Sequence, residues 1–389
     1  MKPKILCISF SDINADSRVL RQLKILAEFG DVTTLSYGSR PTEAAYHLEI
    51  DSSLPSLPQT ISGVANLALH RFESVMFQAP AVRQALMLAG TDTYDLIVAN
   101  EARALPLAHR LAELTSPATP VWGDMHEWAP EERTHVLSWR ILVKPFMTYV
   151  CEKYLTKSYA VTAVNGSIGS LYDEKFGCTS EIVRNAARFQ DLSPSEMVPD
   201  TIRLVHSGAA IPGRNLEGMI EAALMLGPGY TLDLYLVKGR DGGKYWEFLK
   251  GKAAGSPKIV FHDAVAPADL AATLNQYDIG IFSLPPKTTN HRLMLPNKFF
   301  DFVQARLAIV FSPSPETSSL IQAHNLGAVT ENFSPESLAA SVSSLSREDI
   351  RFYKENSHRA AQALSSEQDE NTERGILKRC FGIQPTNQN

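Results

Sequence analysis

Short apolar runs rich in Val, Ile and Leu alternate with longer amphipathic stretches along most of the chain. In the first half the runs fall at 5–9, 32–36, 96–99, 120–123, 160–165 and 182–184. Helical patterns at 18–29, 104–114, 141–155 and 168–176 lie between them. Apolar runs without polar alternation predict strands buried on both faces, and hence a parallel sheet. The strand–helix–strand order predicts a doubly wound α/β domain. After the polar, proline-containing stretch FQDLSPSEMVPDT (189–201) the pattern restarts, with runs at 202–206, 232–237, 259–261, 279–283, 308–312 and 328–330. This predicts two Rossmann-like domains, 1–188 and 202–365, joined by a linker at 189–201. A tail at 366–389 either closes the second domain or reaches back to the first. Two such domains facing across a cleft bind ligands at the carboxyl ends of their strands.

Composition changes this picture little. A chain of 389 residues is too long for one ordinary core and suits two. Hydrophobic residues at 44% and charged ones at 20% are those of a folded, water-soluble protein. The formal net charge of −5 gives no basic footprint for nucleic acid, although a local patch for phosphate needs only a few cations or N–H groups. Cys7, Cys151, Cys178 and Cys380 are scattered without metal-ligand spacing, as in a reduced cytoplasmic protein. MKPKILCISF reads as a first strand rather than a signal peptide. No apolar run approaches the ~20 residues of a membrane span. A cytoplasmic location is expected, with room for contact at the inner face of a membrane.

The segment 278–312 concentrates the candidate chemistry. An apolar strand ends at Ser283, a loop carries Pro285, Pro286 and Pro296, and a helix begins near Asn297. Pro296 suits a helix start. The N–H groups of Asn297, Lys298 and Phe299 and the helix dipole would then hold an anion such as a diphosphate. Asp301, one turn further in, is placed to accept bonds from vicinal hydroxyls such as those of a ribose. A proline-initiated helix with an early acid is also a common structural feature. Among weaker candidates, residues 122–139 carry three of the four tryptophans with His126 and His135. They form either an aromatic-packed loop or a lip on which a sugar ring or lipid stacks. Asn100 and Glu101 follow a strand, and Asp12 and Asn14 follow the first strand. The glycine-rich stretch 238–243 fits neither a Walker loop nor a dinucleotide fingerprint and reads as a turn.

NHRLMLPNKFFD (290–301) resembles the donor-binding helix of retaining GT-B glycosyltransferases of the family-4 type, which often read close to NHRYALPNKLFEYLQAG. Other stretches are similar in the same order. Asp16-Ser-Arg18-Val with Arg21-Gln22 resembles DPRVRRQ, Asp124-Met-His126-Glu127 resembles D-x-HE, and Val183-Arg184-Asn185 resembles V-x-N. His206-Ser-Gly208 through Pro212-Gly213-Arg214 looks like the first strand–loop–helix of the second domain. Phe261-His-Asp263, Leu270 and Asp278-Ile-Gly280 resemble the F-x-G…L…aDIG stretch. The resemblance runs from about residue 10 to about residue 312.

It implies a GT-B fold and transfer of a sugar from a nucleotide-diphosphate sugar, UDP- or GDP-linked, with retention of anomeric configuration and no metal or other cofactor. The implied catalytic residues are His126, Arg214 and Asp301. The implied donor residues are Gly208, Arg214, Lys238, Asp263, Val265, Arg292, Pro296, Asn297, Lys298 and Asp301. Within these, Asn297 and Lys298 hold the diphosphate, Asp301 the ribose, and Asp263 and Val265 the base. Arg214 pairs with phosphate oxygens, and His126 reaches across the cleft to the donor sugar. Asp12, Asn14, Arg18, Glu101, Asp124 and Trp128 fall on the acceptor side. The acceptor is expected to be a glycan, or a lipid-linked glycan that brings the protein into peripheral contact with a membrane, within polysaccharide biosynthesis.

The chain departs from the family at two points. The first acid of the Glu-x7-Glu pattern is Leu293 here, which leaves Asn290, His291 or Arg292 to replace it. The basic position after the glycine of the second domain's first loop is Ala209. Arg214, with Lys238 or Arg292, is left to neutralise the diphosphate. These departures keep two other readings open: a non-catalytic binding or scaffold subunit, and a nucleotide-sugar epimerase or hydrolase on the same fold. No carboxylate pair of the kind a glycosidase needs is evident.

Overall fold

The computed structural model describes residues 2–239, 241–253 and 255–383. It holds two sheets, every strand pair of which is parallel. The first comprises β1 (Lys4–Asp12), β2 (Asp31–Tyr37), β3 (Tyr46–Ile50), β4 (Leu96–Asn100), β5 (Val121–Met125), β6 (Ala160–Ala163) and β7 (Ser180–Ile182). Its spatial order is β3-β2-β1-β4-β5-β6-β7. The second comprises β8 (Ile202–Ala210), β9 (Tyr230–Lys238), β10 (Ile259–His262), β11 (Ile279–Phe282), β12 (Ala308–Phe311) and β13 (Gly327–Val329), in the order β10-β9-β8-β11-β12-β13. Both orders reverse direction once, between β1 and β4 and between β8 and β11, which is the doubly wound arrangement.

The apolar runs predicted twelve of these strands, because buried parallel strands are apolar throughout. The exception is β3, YHLEI, an edge strand whose mixed pattern resembles a loop.

The chain divides into two compact units. The first is Met1–Arg184, Thr288–Asn290 and Asp369–Asn389, and the second is Asn185–Lys287 and His291–Gln368. Residues 384–389 of the expected tail, and Arg240 of the turn at 238–243, lie outside the described residues.

In the first unit Ile5, Cys7, Leu96 and Val98 pack under Val19, Leu23 and Leu26 of the helix Ser17–Phe29. Ile376 and Leu377 of the helix Ser366–Cys380 complete that layer. In the second unit one face of the sheet packs Leu204, Leu234 and Ile281 beneath the helix Leu216–Met225. The other packs Val205, Phe282 and Ile309 beneath Phe299, Phe302 and Val303 of the helix Asn297–Gln304.

The stretch 189–201 has almost no regular structure, as a linker should, yet it is tied along its length to the second unit. The buried Arg306 reaches the carbonyls of Gln190 and Leu192, the latter at 3.1 Å. Lys354 Nζ donates to Ser195 Oγ at 3.0 Å. A segment that satisfies buried polar groups in this way packs as a strap rather than a hinge.

Candidate functional site

In the first unit the candidate residues cluster at the carboxyl ends of β1, β4 and β5, around the switch point. Asp124 ends up buried on β5. Arg18, in the first turn of its helix, grips it bidentately, Nε to Oδ2 at 2.9 Å and Nη2 to Oδ1 at 2.6 Å. The third arm, Nη1, donates to the Val183 carbonyl at 2.6 Å. Asp124 also accepts from Thr162 Oγ1 at 2.6 Å and Gln22 Nε2 at 3.3 Å. Its two oxygens are filled, leaving no lone pair for a ligand. Burial pushes the carboxyl up, but the charges and hydrogen bonds of Arg18 and His126 hold it well below the usual carboxylate range.

His126 follows β5 and sets Nε2 3.1 Å from Asp124 Oδ2 and 3.2 Å from Asn100 Oδ1. Two acceptors on one nitrogen place the proton there, so Nδ1 is the ring atom left for a ligand. Burial works against the charged ring, and Asp124 outweighs it, raising the histidine above its ordinary value.

Glu101 adopts φ 67°, ψ 158° directly after β4, a region that non-glycine residues occupy at a cost of about 1–3 kcal/mol. Its carboxylate meets Arg103 Nη2 at 2.5 Å. Asp12 ends β1, accepts from the Asn14 N–H at 3.0 Å and faces Gly38. A Cβ on Gly38 would lie 2.7 Å from Asp12 Oδ1, and its φ of +78° is the reason glycine suits the position. Asn14 Nδ2 bonds the Ser39 carbonyl at 2.8 Å. Asp12 and Asn14 are exposed at this edge.

Three residues expected on the acceptor side are buried instead: Arg18, Asp124 and Trp128. Trp128 packs edge-on against Tyr172, centroids 4.8 Å apart, and beside Phe176. Trp122 and Trp139 are buried as well, so the 122–139 loop is packed by its aromatics rather than offering them as a lip. Asp124 holds His126 Nε2, and Arg18 holds Asp124.

In the second unit Pro296 is the N-cap, at φ −74° and ψ 147°, and the helix Asn297–Gln304 starts at Asn297. Its apolar side (Phe299, Phe300, Phe302, Val303) is buried, leaving Asn297, Lys298 and Asp301 on the more open side. Ser314 Oγ holds the preceding loop through the Met294 carbonyl at 3.0 Å.

Lys298 folds back over β8. A Cβ on Gly208 would lie 2.8 Å from Lys298 Cε, 3.1 Å from its Nζ and 3.4 Å from His206 Nε2. The bare glycine is what lets this ammonium lie against the strand. His206 is buried, and its Nδ1 lies 3.0 Å from the Ile281 carbonyl, so Nε2 turns its lone pair toward Gly208 and Lys298. Burial and the nearby Lys298 push His206 down to about 3. Burial also lowers Lys298, Arg214 adds to the lowering, and Asp301 opposes it. Lys298, Arg214 and Asp301 therefore share one electrostatic neighbourhood.

Arg214 is exposed in the loop after β8. Asn215, in the left-handed conformation, anchors that loop to Ser283 Oγ at 3.3 Å, bridging the ends of β8 and β11. Lys238 ends β9, sits over the Trp246 ring at 4.5 Å, and approaches Asp263 Oδ1 at 3.9 Å. Asp263 follows β10 and is exposed. Val265 packs partly buried against the core, and Arg292 ends a short helix, Thr289–Arg292, in an exposed position.

Of the residues expected to stand in at Leu293, Asn290 packs with the first unit. Its Oδ1 accepts the Trp128 N–H at 2.7 Å, and its Nδ2 reaches Glu127 Oε2 at 3.2 Å. Sequence reasoning missed Thr162 and Glu373 in the first unit, and it named Gln22 and His206 within motifs without giving them a role. Glu373, on the C-terminal helix, is buried near Asp124, Arg18, Arg21 and Asp369. A buried carboxylate in the middle of a polar helix leaves no signal in a single sequence.

Among the described residues no group of three His, Cys, Asp or Glu could hold a metal ion, and no helix is long and apolar enough to cross a membrane. No protein-family model matches the sequence, and neither does any curated protein. Solved structures are similar over the full length. Sucrose-phosphate synthase from Thermosynechococcus elongatus aligns with TM-score 0.71 at 13% identity, covering 98% of this chain and 100% of that one. Anabaena HepE in complex with UDP-glucose aligns with TM-score 0.69 at 13% identity, covering 97% and 100%. The α,α-trehalose 6-phosphate synthase from Burkholderia multivorans aligns with TM-score 0.67 at 12% identity, covering 98% of each. At these identities the likeness shows the fold: two Rossmann-like domains of the GT-B type.

Proposed function

We propose that this chain is a glycosyltransferase that moves a sugar from a UDP- or GDP-linked donor to a hydroxyl of a glycan or lipid-linked glycan, with retention of configuration and without a metal. The observation that carries the reading is the convergence of Lys298, the bare backbone at Gly208, the helix start at Asn297 and Arg214. They meet at the switch point of the second sheet, where such folds bind ligands. The structural relatives include a protein bound to UDP-glucose, which supports the donor class.

Binding would neutralise the diphosphate with the ammonium of Lys298, the fork of Arg214 and the N–H groups of Asn297 and Lys298 at the helix start; the Phe299 N–H, expected to join them, donates instead to the Pro296 carbonyl at 3.0 Å. Asp301 would accept from the ribose hydroxyls, and Asp263 and Val265 would flank the base. Lys238 and Arg292 would add positive charge around the diphosphate. Transfer breaks the bond from the anomeric carbon to the diphosphate oxygen, and the acceptor oxygen bonds to that carbon from the same face. The acceptor's proton passes to the departing phosphate oxygen. Cations preorganised at the leaving group stabilise the charge that grows there. His126, held by Asp124 and Asn100, would accept at Nδ1 from a hydroxyl of the transferred sugar. Asp12, Asn14 and the strained Glu101 supply polar groups for the acceptor.

Calorimetric titration with UDP, GDP and ADP tests the donor half. Binding of one of them, weakened by Arg214→Ala, is expected. Failure of all three to bind would refute the reading. Nucleotide binding without transfer from any sugar donor would favour a non-catalytic binding subunit.

A further inference from the structure

The C-terminal helix Ser366–Cys380 packs on the first unit through a face that mixes two aliphatic side chains with two acids. Asp369, Glu373, Ile376 and Leu377 are buried, at 5%, 4%, 0% and 0% exposure. Their spacing of three and four residues puts them on one side of the helix. Ile376 and Leu377 pack into the layer formed by Val19, Leu23 and Leu26. The flanks are pinned at the surface: Arg374 forks onto Glu28 with both bonds at 2.8 Å, and Arg379 meets Glu181. Acids are almost never fully buried unless paired, so the two in the middle of this face need a physical account.

Asp369 is half satisfied. Its Oδ1 accepts from the Arg184 backbone N–H at 2.8 Å and from Arg184 Nε at 3.0 Å. Its Oδ2 is buried with no hydrogen-bond partner among the described residues. Glu373 lies one turn further along the same face, and no cation forms an ion pair with it among the described residues. Around it stand Asp124 on β5, Arg18 and Arg21 on the helix Ser17–Phe29, and Asp369 on its own helix. Arg21 in turn faces Arg18 and Asp16. Arg18 is already committed, its three arms going to Asp124 and the Val183 carbonyl. These acids are not arranged around a metal position, since no three of the described His, Cys, Asp or Glu residues could hold one. Burial, with the charges of Asp124 and Asp369 added and those of Arg18 and Arg21 opposed, pushes the Glu373 carboxyl up to about 8.

We infer that Glu373 keeps its proton at neutral pH and donates it to Asp369 Oδ2, so that a carboxyl–carboxylate pair latches the C-terminal helix onto the rest of the first unit. Residues four apart on a helix meet side by side, and the shared proton supplies the donor that the buried oxygen lacks. The latch lies against the clamp that holds His126. With Glu373 neutral, the fork of Arg18 stays on Asp124. An ionised Glu373 would compete for that fork and repel both Asp124 and Asp369. Glu373 is thus a positioning residue that acts on His126 through Arg18 and Asp124. The inference stands apart from the glycosyl-transfer reading, because its test reads a proton and a helix rather than turnover.

The full chain, with its glutamate carboxyl carbons isotopically labelled, is titrated by NMR. One carboxyl should remain protonated at neutral pH, with a midpoint near 8, and its resonance should vanish in Glu373→Gln. The midpoint should fall in Asp369→Asn, which removes one of the opposing charges. Hydrogen exchange follows the helix itself. A carboxyl with a value of about 8 when docked and about 4.3 when released weakens docking about tenfold per pH unit between the two. Glutamine keeps an N–H donor for Asp369 Oδ2 and has no proton to lose. Exchange within 366–380 in the wild type should therefore gain on that in Glu373→Gln by about a hundredfold from about pH 5 to about pH 7. Every glutamate titrating below about 6, or a high-titrating resonance that survives in Glu373→Gln, would overturn the inference. So would a midpoint unmoved in Asp369→Asn, or exchange that rises in parallel in wild type and Glu373→Gln. The wild-type titration decides the matter even where a variant fails to fold.

Discussion

The two sheets share a topology and differ at their switch points. In the first unit the charged groups there are spent on one another: Arg18 clamps Asp124, and Asp124 orients His126. In the second the cations Lys298 and Arg214 are gathered, with Asp301 opposing them. One arrangement holds a side chain in place, and the other leaves positive charge to be satisfied from outside. The same topology thus supports a rigid positioning device and the anion site proposed above, and the difference lies in whether each charge finds its partner within the fold.

The strongest way to break this comparison is to remove one partner of the internal pair. Arg18→Met or Asp124→Asn leaves a buried group without its counter-charge and should cost about 3–5 kcal/mol. Denaturant unfolding measures the loss, and a cost below about 1 kcal/mol would show the pair to be dispensable.

The complementary change in the second unit should leave stability nearly intact and strike binding. Lys298→Ala should weaken nucleoside-diphosphate binding by about 1.5–3 kcal/mol, or roughly ten- to a hundredfold, by calorimetry. Gly208→Ala tests the same amine from the other side. Its methyl would occupy the space of Lys298 Cε, and a loss of roughly tenfold is expected from one displaced charged contact. Binding unchanged in both would remove the ammonium from the site.

A smaller effect is a difference in pH slope. Burial, with the Asp124 charge, raises Glu373 to about 8, above its unfolded value of about 4.3. Between those values the folded state holds a proton that the unfolded state has lost, so this contribution to stability is lost as pH rises toward 8. Glu373→Gln should therefore gain on wild type as pH rises from about 5 to about 8. His206 runs the other way. With a folded value of about 3 against about 6.5 unfolded, it loses stability as pH falls through that window, and His206→Gln should lose less. Unfolding curves for both variants across pH check the signs, and parallel slopes would erase the contrast.

The smallest expected effect sharpens the boundary of the anion site. Lys238 is exposed at the end of β9, where it meets Trp246 and Asp263. Lys238→Ala should change nucleotide affinity less than about threefold, as for other solvent-screened charges. A larger loss would draw Lys238 into the core of the site.

Both sheets and the start of the helix at Asn297 were legible because burial on two faces and a proline at a helix entrance leave local marks. Strand β3 was not, since a mixed edge strand carries neither mark. Candidates for the site could be named, but their environments could not. Arg18, Asp124 and Trp128 read as ligand contacts and are buried supports. Ala209 read as a lost cation, and Lys298, arriving from a different element, lies over the adjacent Gly208.

By itself the sequence determined the periodicity of the elements, the parallel character of both sheets and the residue types at the carboxyl edges of their strands. Only the tertiary structure decided that Arg18 spends its charge on a residue 106 positions away, and that Glu373 of the last helix lies beside that same pair. Periodicity and propensity act within a few residues of the chain, whereas pairing and desolvation depend on which distant groups the fold brings within a few ångströms.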